Sequence, residues 1–378
     1  MLQLLVAGPR GFADLLAREL TALGAEDVRD RSTGVACRGD LKLVYRACLE
    51  SRIANRVFLE IAQFEARDAD ALYAAVRAID WAGHLDPRGT LACDFTGRHP
   101  SITHSQFGAL RVKDAIVDAL RDSKGVRPDV SRARPDLRVH AHAHGARIAL
   151  SLDLSGESLH RRGYRAAAGQ APLKENVAAG ILLRAGWPEL AAKGAEFLDP
   201  LCGSGTFVIE AAMMAADVAP GLTRDYFGFL GWRQHDAGLW EELRAMAGAR
   251  ALIGVRSTHT VMRGLDRDPA AIRHARENAR RAGVESRVSF EVAELADAAP
   301  RMNVAPLAGF GLLCTNPPYG MRLNDRTVAR DVHRELGRVL RERFVGWRAA
   351  VLTGAPEMGL ELGVRAQRTH TVWNGPLE

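Results

Sequence analysis

The sequence predicts an α/β protein in which two small α+β units precede a doubly wound, parallel sheet. Up to residue 55, the apolar patterns follow the order strand, helix, strand, strand, helix, which is typical of a ferredoxin-like unit. Residues 56–155 continue with mixed strands and helices. From residue 156 to residue 378, short apolar strands alternate with helical patterns, as in a parallel sheet covered by helices. We therefore expect three domains, over residues 1–55, 56–155 and 156–378.

The composition limits the class of protein. The 378 residues are 47% hydrophobic and 25% charged, which is ordinary for a soluble globular chain. No apolar run approaches the roughly 20 residues that cross a bilayer, so no membrane association is expected. The five cysteines form no CxxC pair, which disfavours a zinc site or a disulfide framework and favours a reducing cytoplasm. The net charge of +6 permits a polyanionic partner without requiring one.

Periodicity predicts the elements of the first two domains. In the first, we expect an opening strand up to Gly8, a helix over 12–24, strands around Val28 and Val35, and a helix over 41–53. In the second, we expect strands over 57–62, 90–95, 137–144 and 147–154 and helices over 69–79 and 106–120. The second domain has no evident catalytic constellation, which favours binding over chemistry.

Three histidines alternate along the predicted strand 137–144. His140, His142 and His144 should therefore project to one face of the sheet. This spacing could serve a metal ion, but the nearby sequence offers no fourth ligand. We expect a solvated stripe, or one that faces a polyanionic partner, and no metal site.

The most specific local pattern is a strand that ends in an acid and a glycine turn. Residues 196–198 form the apolar strand, Asp199 follows, and Cys202-Gly203-Ser204-Gly205 leads into a helix that begins near Thr206. Glycines let the backbone approach a ligand closely at the carboxyl end of a strand. A dinucleotide fingerprint would need glycine at position 208, which is Val, and no Walker A sequence is present. The remaining ligand is S-adenosylmethionine, which lacks phosphates and needs an acid beside the turn. We expect Cys202 to line that turn.

Two further acids follow the next predicted strands. Asp266 ends the strand 261–266, where a carboxylate can accept from both hydroxyls of a ribose. Asp268 is expected to cap the helix that follows. Glu294 comes after the strand 288–292, and it either accepts from an adenine amino group or is solvated.

A buried strand that ends in Asn316-Pro317-Pro318-Tyr319 predicts the type of reaction. Because prolines fix φ and lack an N–H, the local carbonyls point outward as acceptors. Together with the amide oxygen of Asn316 they suit an exocyclic amino group, and Tyr319 offers a flat face on which a base can stack. Acceptors that hold both amino hydrogens can aim the nitrogen lone pair at a methyl sulfonium. The motif therefore predicts methylation of an exocyclic amine.

These motifs resemble those of the class I S-adenosylmethionine-dependent amino-methyltransferases. Segments that most of that class lack extend the resemblance over nearly the whole chain: residues 51–57, 113–116, 151–156, 159–165, 171–176, 229–232 and 374–378. With them the chain resembles the THUMP-domain RNA methyltransferases, close to the bacterial 23S rRNA guanine-N2 enzymes. The resemblance implies a ferredoxin-like domain, a THUMP RNA-binding domain and a Rossmann-like class I methyltransferase domain.

The resemblance also implies a reaction and a site. The reaction is methyl transfer from S-adenosylmethionine to guanine N2 of 23S rRNA or a large-subunit precursor, in the cytoplasm and without metal. Asp199, Gly203 and Gly205 would border the methionine moiety and Asp266 would hold the ribose, whereas Glu294 stands where the family usually has Asp. The expected cofactor-binding residues are Asp199, Cys202, Gly203, Gly205, Thr206, Asp266 and Glu294. The expected catalytic residues are Asn316, Pro317 and Tyr319, and the expected RNA contacts are Arg111, Lys113, Arg161 and Arg162.

Several alternatives stay open on sequence grounds. Asn-Pro-Pro-Tyr also serves adenine-N6 methyltransferases of DNA or RNA and a protein-glutamine methyltransferase. A noncatalytic RNA-binding assembly factor could retain the same fold. The arginines 161 and 162 could also belong to an ordinary charged linker. One more strand is expected beyond residue 374, so either the last strand is missing or a longer protein is cut there.

Overall fold

The computed structural model describes residues 1–31, 33–165, 173–301, 310–318, 325–354 and 356–374. The chain divides into two compact units. The first unit comprises Met1–Gly8, Leu16–Leu159 and Arg224–Arg244, and the second comprises Pro9–Leu15, His160–Thr223 and Ala245–Glu378. Among the helices described, none is both long and apolar enough to cross a membrane.

The first part of the chain contains the predicted strands and helices in the predicted order, and it adds one two-residue strand at Asp129–Val130 that was not predicted. Its elements are β1 (Leu2–Ala7), α1 (Ala13–Ala22), β2 (Glu26–Arg31), β3 (Gly34–Gly39), α2 (Leu41–Glu50), β4 (Arg56–Glu65), α3 (Ala69–Arg77), β5 (Thr90–Arg98), α4 (Ser105–Lys124), β6 (Asp129–Val130), β7 (Leu137–His144) and β8 (Arg147–Asp153). The local sequence explains where several of the helices begin or end. Asp40 caps α2 by accepting from the Leu43 N–H at 2.9 Å, and Asp68 caps α3 in the same way. Gly125 ends α4 with a φ of 70°.

One eight-stranded sheet spans both predicted α+β domains, in the order β2-β3-β1-β4-β8-β7-β5-β6. The order β2-β3-β1-β4, with antiparallel neighbours, is that of a ferredoxin-like unit. Its last strand, β4, pairs with β1 through Val6↔Val57 and with β8 through Leu59↔Leu152. The predicted boundary at residue 55 thus falls just before a strand that both domains use.

The second part of the chain forms a parallel sheet, as predicted. Its elements are α5 (Glu175–Arg184), α6 (Trp187–Ala192), β9 (Glu196–Asp199), α7 (Thr206–Ala215), α8 (Ala237–Ser257), β10 (Met262–Asp266), α9 (Pro269–Arg281), β11 (Val288–Val292), β12 (Gly311–Thr315), α10 (Asp325–Arg343), β13 (Arg348–Val351) and α11 (Pro356–Glu361). The five strands are parallel in the order β11-β10-β9-β12-β13. Buried residues such as Leu198, Leu265 and Leu313 build its core. The extra strand expected beyond residue 374 lies outside the described residues.

Candidate functional site

In the parallel sheet, the direction in which the chain adds successive strands reverses next to the central strand, β9. The chain runs from β9 to β10 and β11 on one side, and then returns to β12 on the other side of β9. The register Leu313↔Leu198 places the ends of β9 and β12 side by side. Open α/β sheets bind ligands in the crevice at such a switch point, beyond the carboxyl ends of the strands. Asp199 ends β9 and Asn316 directly follows β12, so both lie at this crevice.

Asp199 is a buried carboxyl group, only 2% exposed. Burial, with a smaller contribution from the negative charge of Asp266, raises the pKa of Asp199 from 3.8 to about 7. The carboxylate accepts a hydrogen bond from the Leu201 N–H, at 3.1 Å. A buried acid with so high a pKa favours a ligand that brings a positive charge to it.

Asp266 joins the end of β10 to the glycine turn. Its Oδ2 accepts from the Gly203 N–H at 2.9 Å, and its Oδ1 accepts from the Asp268 N–H at 2.9 Å. Each carboxylate oxygen has a further lone pair, so Asp266 can accept from a ligand as well. Asp268 caps α9 through the Ala270 N–H at 2.8 Å, which confirms the prediction for that residue.

The two glycines of the turn have different roles. Both have positive φ, 52° at Gly203 and 85° at Gly205. A Cβ on Gly205 would lie 2.9 Å from the Cζ atom of Phe290, so Gly205 is needed for packing against β11. A Cβ on Gly203 would have no atom within 4 Å, so this glycine faces open space where a ligand can approach.

Cys202 and Thr206 flank the same turn. The Cys202 N–H donates to the Leu265 carbonyl at 2.8 Å. Burial raises the pKa of the Cys202 thiol well above its usual value, so this residue lines the turn and is not an activated nucleophile. Thr206 begins α7, and its hydroxyl accepts from the Arg165 guanidinium at 2.9 Å. The structure thus gives Thr206 an anchoring contact that the sequence analysis did not anticipate.

The remaining predicted site residues lie at the same end of the sheet where they are described. Glu294 is exposed, two residues beyond β11. Asn316 is half-buried and Pro317 is buried, directly after β12. Tyr319 lies outside the described residues, so its predicted stacking role stays a prediction.

Two of the predicted RNA contacts lie on α4 of the first unit. The Arg111 guanidinium lies 4.6 Å from the centre of the Tyr73 ring and 2.8 Å from an Asp70 carboxylate oxygen. The Lys113 Nζ atom lies 2.7 Å from the Asp114 carboxylate. Both basic groups are partly accessible.

The other two predicted RNA contacts, Arg161 and Arg162, differ sharply. Arg161 is exposed, whereas Arg162 is 1% exposed and lies 3.6 Å from the carboxylate of Glu210, which is fully buried. The prediction that Arg162 contacts RNA is therefore wrong. Its charge compensates a buried acid, because an uncompensated charge in that position would be very costly.

Two of the three alternating histidines on β7, His140 and His142, have side-chain contacts within the sheet. The Thr96 hydroxyl lies 3.0 Å from His140 Nε2 and 2.9 Å from His142 Nδ1, and the His140 ring stacks on Phe58. Burial lowers the pKa of His140 to about 4, so that ring is neutral near pH 7. Across the described ranges, we find no group of three histidine, cysteine or acidic side chains placed to hold a metal ion.

The chain matches three family descriptions in order. Residues 3–58 match "RlmL ferredoxin-like domain", residues 66–153 match "THUMP domain", and residues 162–378 match "RMKL-like, methyltransferase domain". The last match covers more than half of the chain.

Curated relatives carry the name ribosomal RNA large subunit methyltransferase K/L. The relative from Syntrophotalea carbinolica is 50% identical over 372 residues, which are 98% of this chain and 52% of that protein. The relative from Cellvibrio japonicus is 48% identical over 376 residues, 99% of this chain and 50% of that protein. The chain thus spans about half the length of these relatives.

Solved structures share the fold. A possible methylase from Clostridium difficile 630 superposes with a TM-score of 0.86 at 30% identity, covering 100% of this chain and 96% of that one. SMU.472, solved in complex with SAH, has a TM-score of 0.86 at 28% identity, covering 100% and 96% of the two chains. From the domain match and these similarities, the chain belongs to the family of RMKL-like methyltransferase domains, here joined to a THUMP domain and an RlmL ferredoxin-like domain.

Proposed function

We propose that this chain transfers a methyl group from S-adenosylmethionine to the exocyclic N2 of a guanine in 23S rRNA or its large-subunit precursor. The observation that carries the proposal is the switch point. Two acids end the adjacent strands β9 and β10, and Asn316-Pro317 follows β12 on the other side of β9. The names of the curated relatives supply the class of RNA.

The residues present fit S-adenosylmethionine. Space beyond Gly203 admits a ligand to the turn. The buried carboxyl of Asp199 suits a ligand with positively charged amino and sulfonium groups. Asp266 is half-exposed and retains acceptor capacity for the ribose hydroxyls, and Glu294 is exposed where an adenine amino group could donate to it. SMU.472, which shares the fold, was solved with SAH.

In this proposal, S-adenosylmethionine supplies a methyl group on a positively charged sulfonium. The protein contributes positioning. The Asn316 amide oxygen and the Pro317 carbonyl accept the two hydrogens of the guanine amino group, and Tyr319 stacks on the base. An acceptor matched to the positive charge that develops on nitrogen stabilises the transition state more than the bound substrate. The N2–methyl bond forms as the sulfur–methyl bond breaks, SAH is released, and the proton lost from N2 passes to solvent. No covalent intermediate on the protein is needed, and positioning supplies much of the rate.

We further propose that the first unit holds the RNA, through the THUMP domain that residues 66–153 match. Arg111 and Lys113 on α4 are the proposed phosphate contacts of this unit. The exposed Arg161 is a separate proposed phosphate contact on the second unit. The division into domains at 1–55, 56–155 and 156–378 and a cytoplasmic location are part of the same proposal. Phosphate contacts predict binding that weakens steeply with salt, since neutralised phosphates release counterions.

The test is nucleoside mapping by mass spectrometry. An unmodified 23S rRNA transcript is treated with the protein and deuterium-labelled S-adenosylmethionine, digested to nucleosides and analysed. We expect labelled N2-methylguanosine, formed about 100-fold more slowly by the Asn316→Ala variant. Labelled N6-methyladenosine would support the adenine-N6 alternative. Binding of SAH and RNA without any incorporation would support a noncatalytic assembly factor.

A further inference from the structure

In the second unit, a network of buried and largely buried charged and polar side chains contacts the glycine turn through Thr206. Its members are Arg162, Tyr164, Arg165, Glu175 and Glu210. The Tyr164 hydroxyl donates to Glu210 at 3.2 Å, beside the ion pair of Arg162 with the same carboxylate. Arg165 and Glu175 form a second buried pair, with 3.2 Å between Nε and Oε1. Neither pair has an assigned role in the site described above.

Arg165 connects this network directly to the turn. One of its terminal nitrogens, Nη2, donates to the Thr206 hydroxyl and to the Leu173 carbonyl, each at 2.9 Å. Thr206 is the first residue of α7 and follows Gly205 without a gap. A single guanidinium therefore fastens the start of α7 to the segment that leads into α5.

Stability alone does not account for this arrangement. Taking two charges out of water costs several kcal/mol per ion, and well-packed apolar side chains often replace buried ion pairs without loss. What a guanidinium adds is fixed geometry, because its planar donors hold several acceptors at once. Burial raises the pKa of Glu175, and the adjacent Arg165 charge opposes that rise and favours the ionised pair.

We propose that Arg165 is a positioning residue that holds the turn formed by residues 203–206 in the conformation that receives the cofactor, through its hydrogen bond to Thr206. The inference rests on the proposed function for the identity of the cofactor. It assigns a purpose to Arg165 and to its contacts with Leu173 and Glu175, which the proposed reaction does not otherwise use.

The test uses the full chain and two measurements. The first is hydrogen exchange of the cofactor-free protein, read on peptides that cover residues 199–207. The second is calorimetric titration with SAH. Arg165→Ala should speed exchange at the turn and weaken SAH binding about 10- to 100-fold, the usual range for losing a hydrogen bond from a charged group. Arg165→Lys should be intermediate, because a lysine cannot hold the same acceptors together.

Variants of Thr206 keep the proposal testable if Arg165→Ala fails to fold. Thr206→Val should reproduce the faster local exchange and part of the affinity loss. Thr206→Ser keeps the hydroxyl and should therefore show normal exchange and normal SAH affinity. The double variant Arg165→Ala/Thr206→Val should bind no more weakly than Arg165→Ala, because both changes remove the same contact. The matched control is Arg184→Ala. Arg184 belongs to the same unit but bonds to Asp14 and the Gly11 carbonyl, so its loss should leave SAH affinity unchanged.

The outcomes separate the inference from the proposed function. If the unaltered protein does not bind SAH, the proposed function fails. If it binds SAH, but Thr206→Val shows normal affinity and normal exchange at 199–207, the positioning role is wrong. Faster exchange spread evenly over the whole second unit would also overturn it, since that result indicates a general structural role.

Discussion

Replacing Asp199 with asparagine should stabilise the second unit at neutral pH while it weakens cofactor binding. The amide keeps an oxygen that can accept from the Leu201 N–H, but it carries no charge into the buried site. Asp199 has a pKa of about 7 in the folded protein, against 3.8 ordinarily. At about 1.4 kcal/mol for each tenfold change in proton affinity, ionising this group in place costs about 4 kcal/mol.

The sign follows from proton linkage. Between pH 4 and pH 7 the folded protein holds the Asp199 proton and the unfolded chain does not, so this group makes stability fall as pH rises. Roughly 2.5–3 kcal/mol of that loss falls between pH 5 and pH 8. Asp199→Asn lacks this titration. The stability of the variant relative to the unaltered protein should therefore rise by that amount from pH 5 to pH 8.

The assay is urea unfolding at the two pH values, followed by pulse hydrogen exchange on peptides from the parallel sheet. Those peptides report the second unit separately from the first, which a single spectroscopic signal does not. Other titrating groups cancel in the difference between the two proteins. A stability difference that is the same at pH 5 and pH 8 would refute the reasoning. SAH affinity of the unaltered protein should also rise about 10-fold from pH 6 to pH 8, as the carboxylate becomes ionised before binding.

Three pairs of variants test the rest of the proposal, at positions 266 and 268, at position 316, and at positions 161 and 162. Asp266→Ala should weaken SAH binding, measured by calorimetry, about 10- to 150-fold. Asp268→Ala removes only the α9 cap, so it should cost about 1 kcal/mol of stability and leave SAH affinity unchanged. Asn316→Ala should lower the single-turnover rate constant by about 100-fold with normal SAH affinity. Asn316→Asp should keep part of that rate. A normal rate for the alanine variant would remove Asn316 from the reaction. Arg161→Ala should reduce the slope of the logarithm of the RNA-binding constant against the logarithm of salt concentration by about 1. Arg162→Ala should instead lower the free energy of unfolding by about 3–5 kcal/mol. If both arginines contact RNA, the two variants will not differ in this way.

The sequence alone determined most of the elements of the first two domains and the strand ends at which the acids lie. Apolar periodicity placed β9, β10 and β12, and it put Asp199, Asp266 and Asn316 at their ends, because strand polarity brings the carboxyl ends of parallel strands to one edge. The absence of glycine at position 208 excluded a dinucleotide fingerprint from the sequence alone. These inferences depend only on neighbours close along the chain.

The tertiary structure decided what depends on distant neighbours. Arg161 and Arg162 are adjacent and chemically identical, but Arg161 is exposed, whereas Arg162 is buried beside Glu210, a partner on α7. Only the sheet order shows that β4 serves two domains, and only burial shows that Asp199 has a pKa near 7. Burial and charge pairing are properties of the folded surroundings, which a local sequence pattern does not contain.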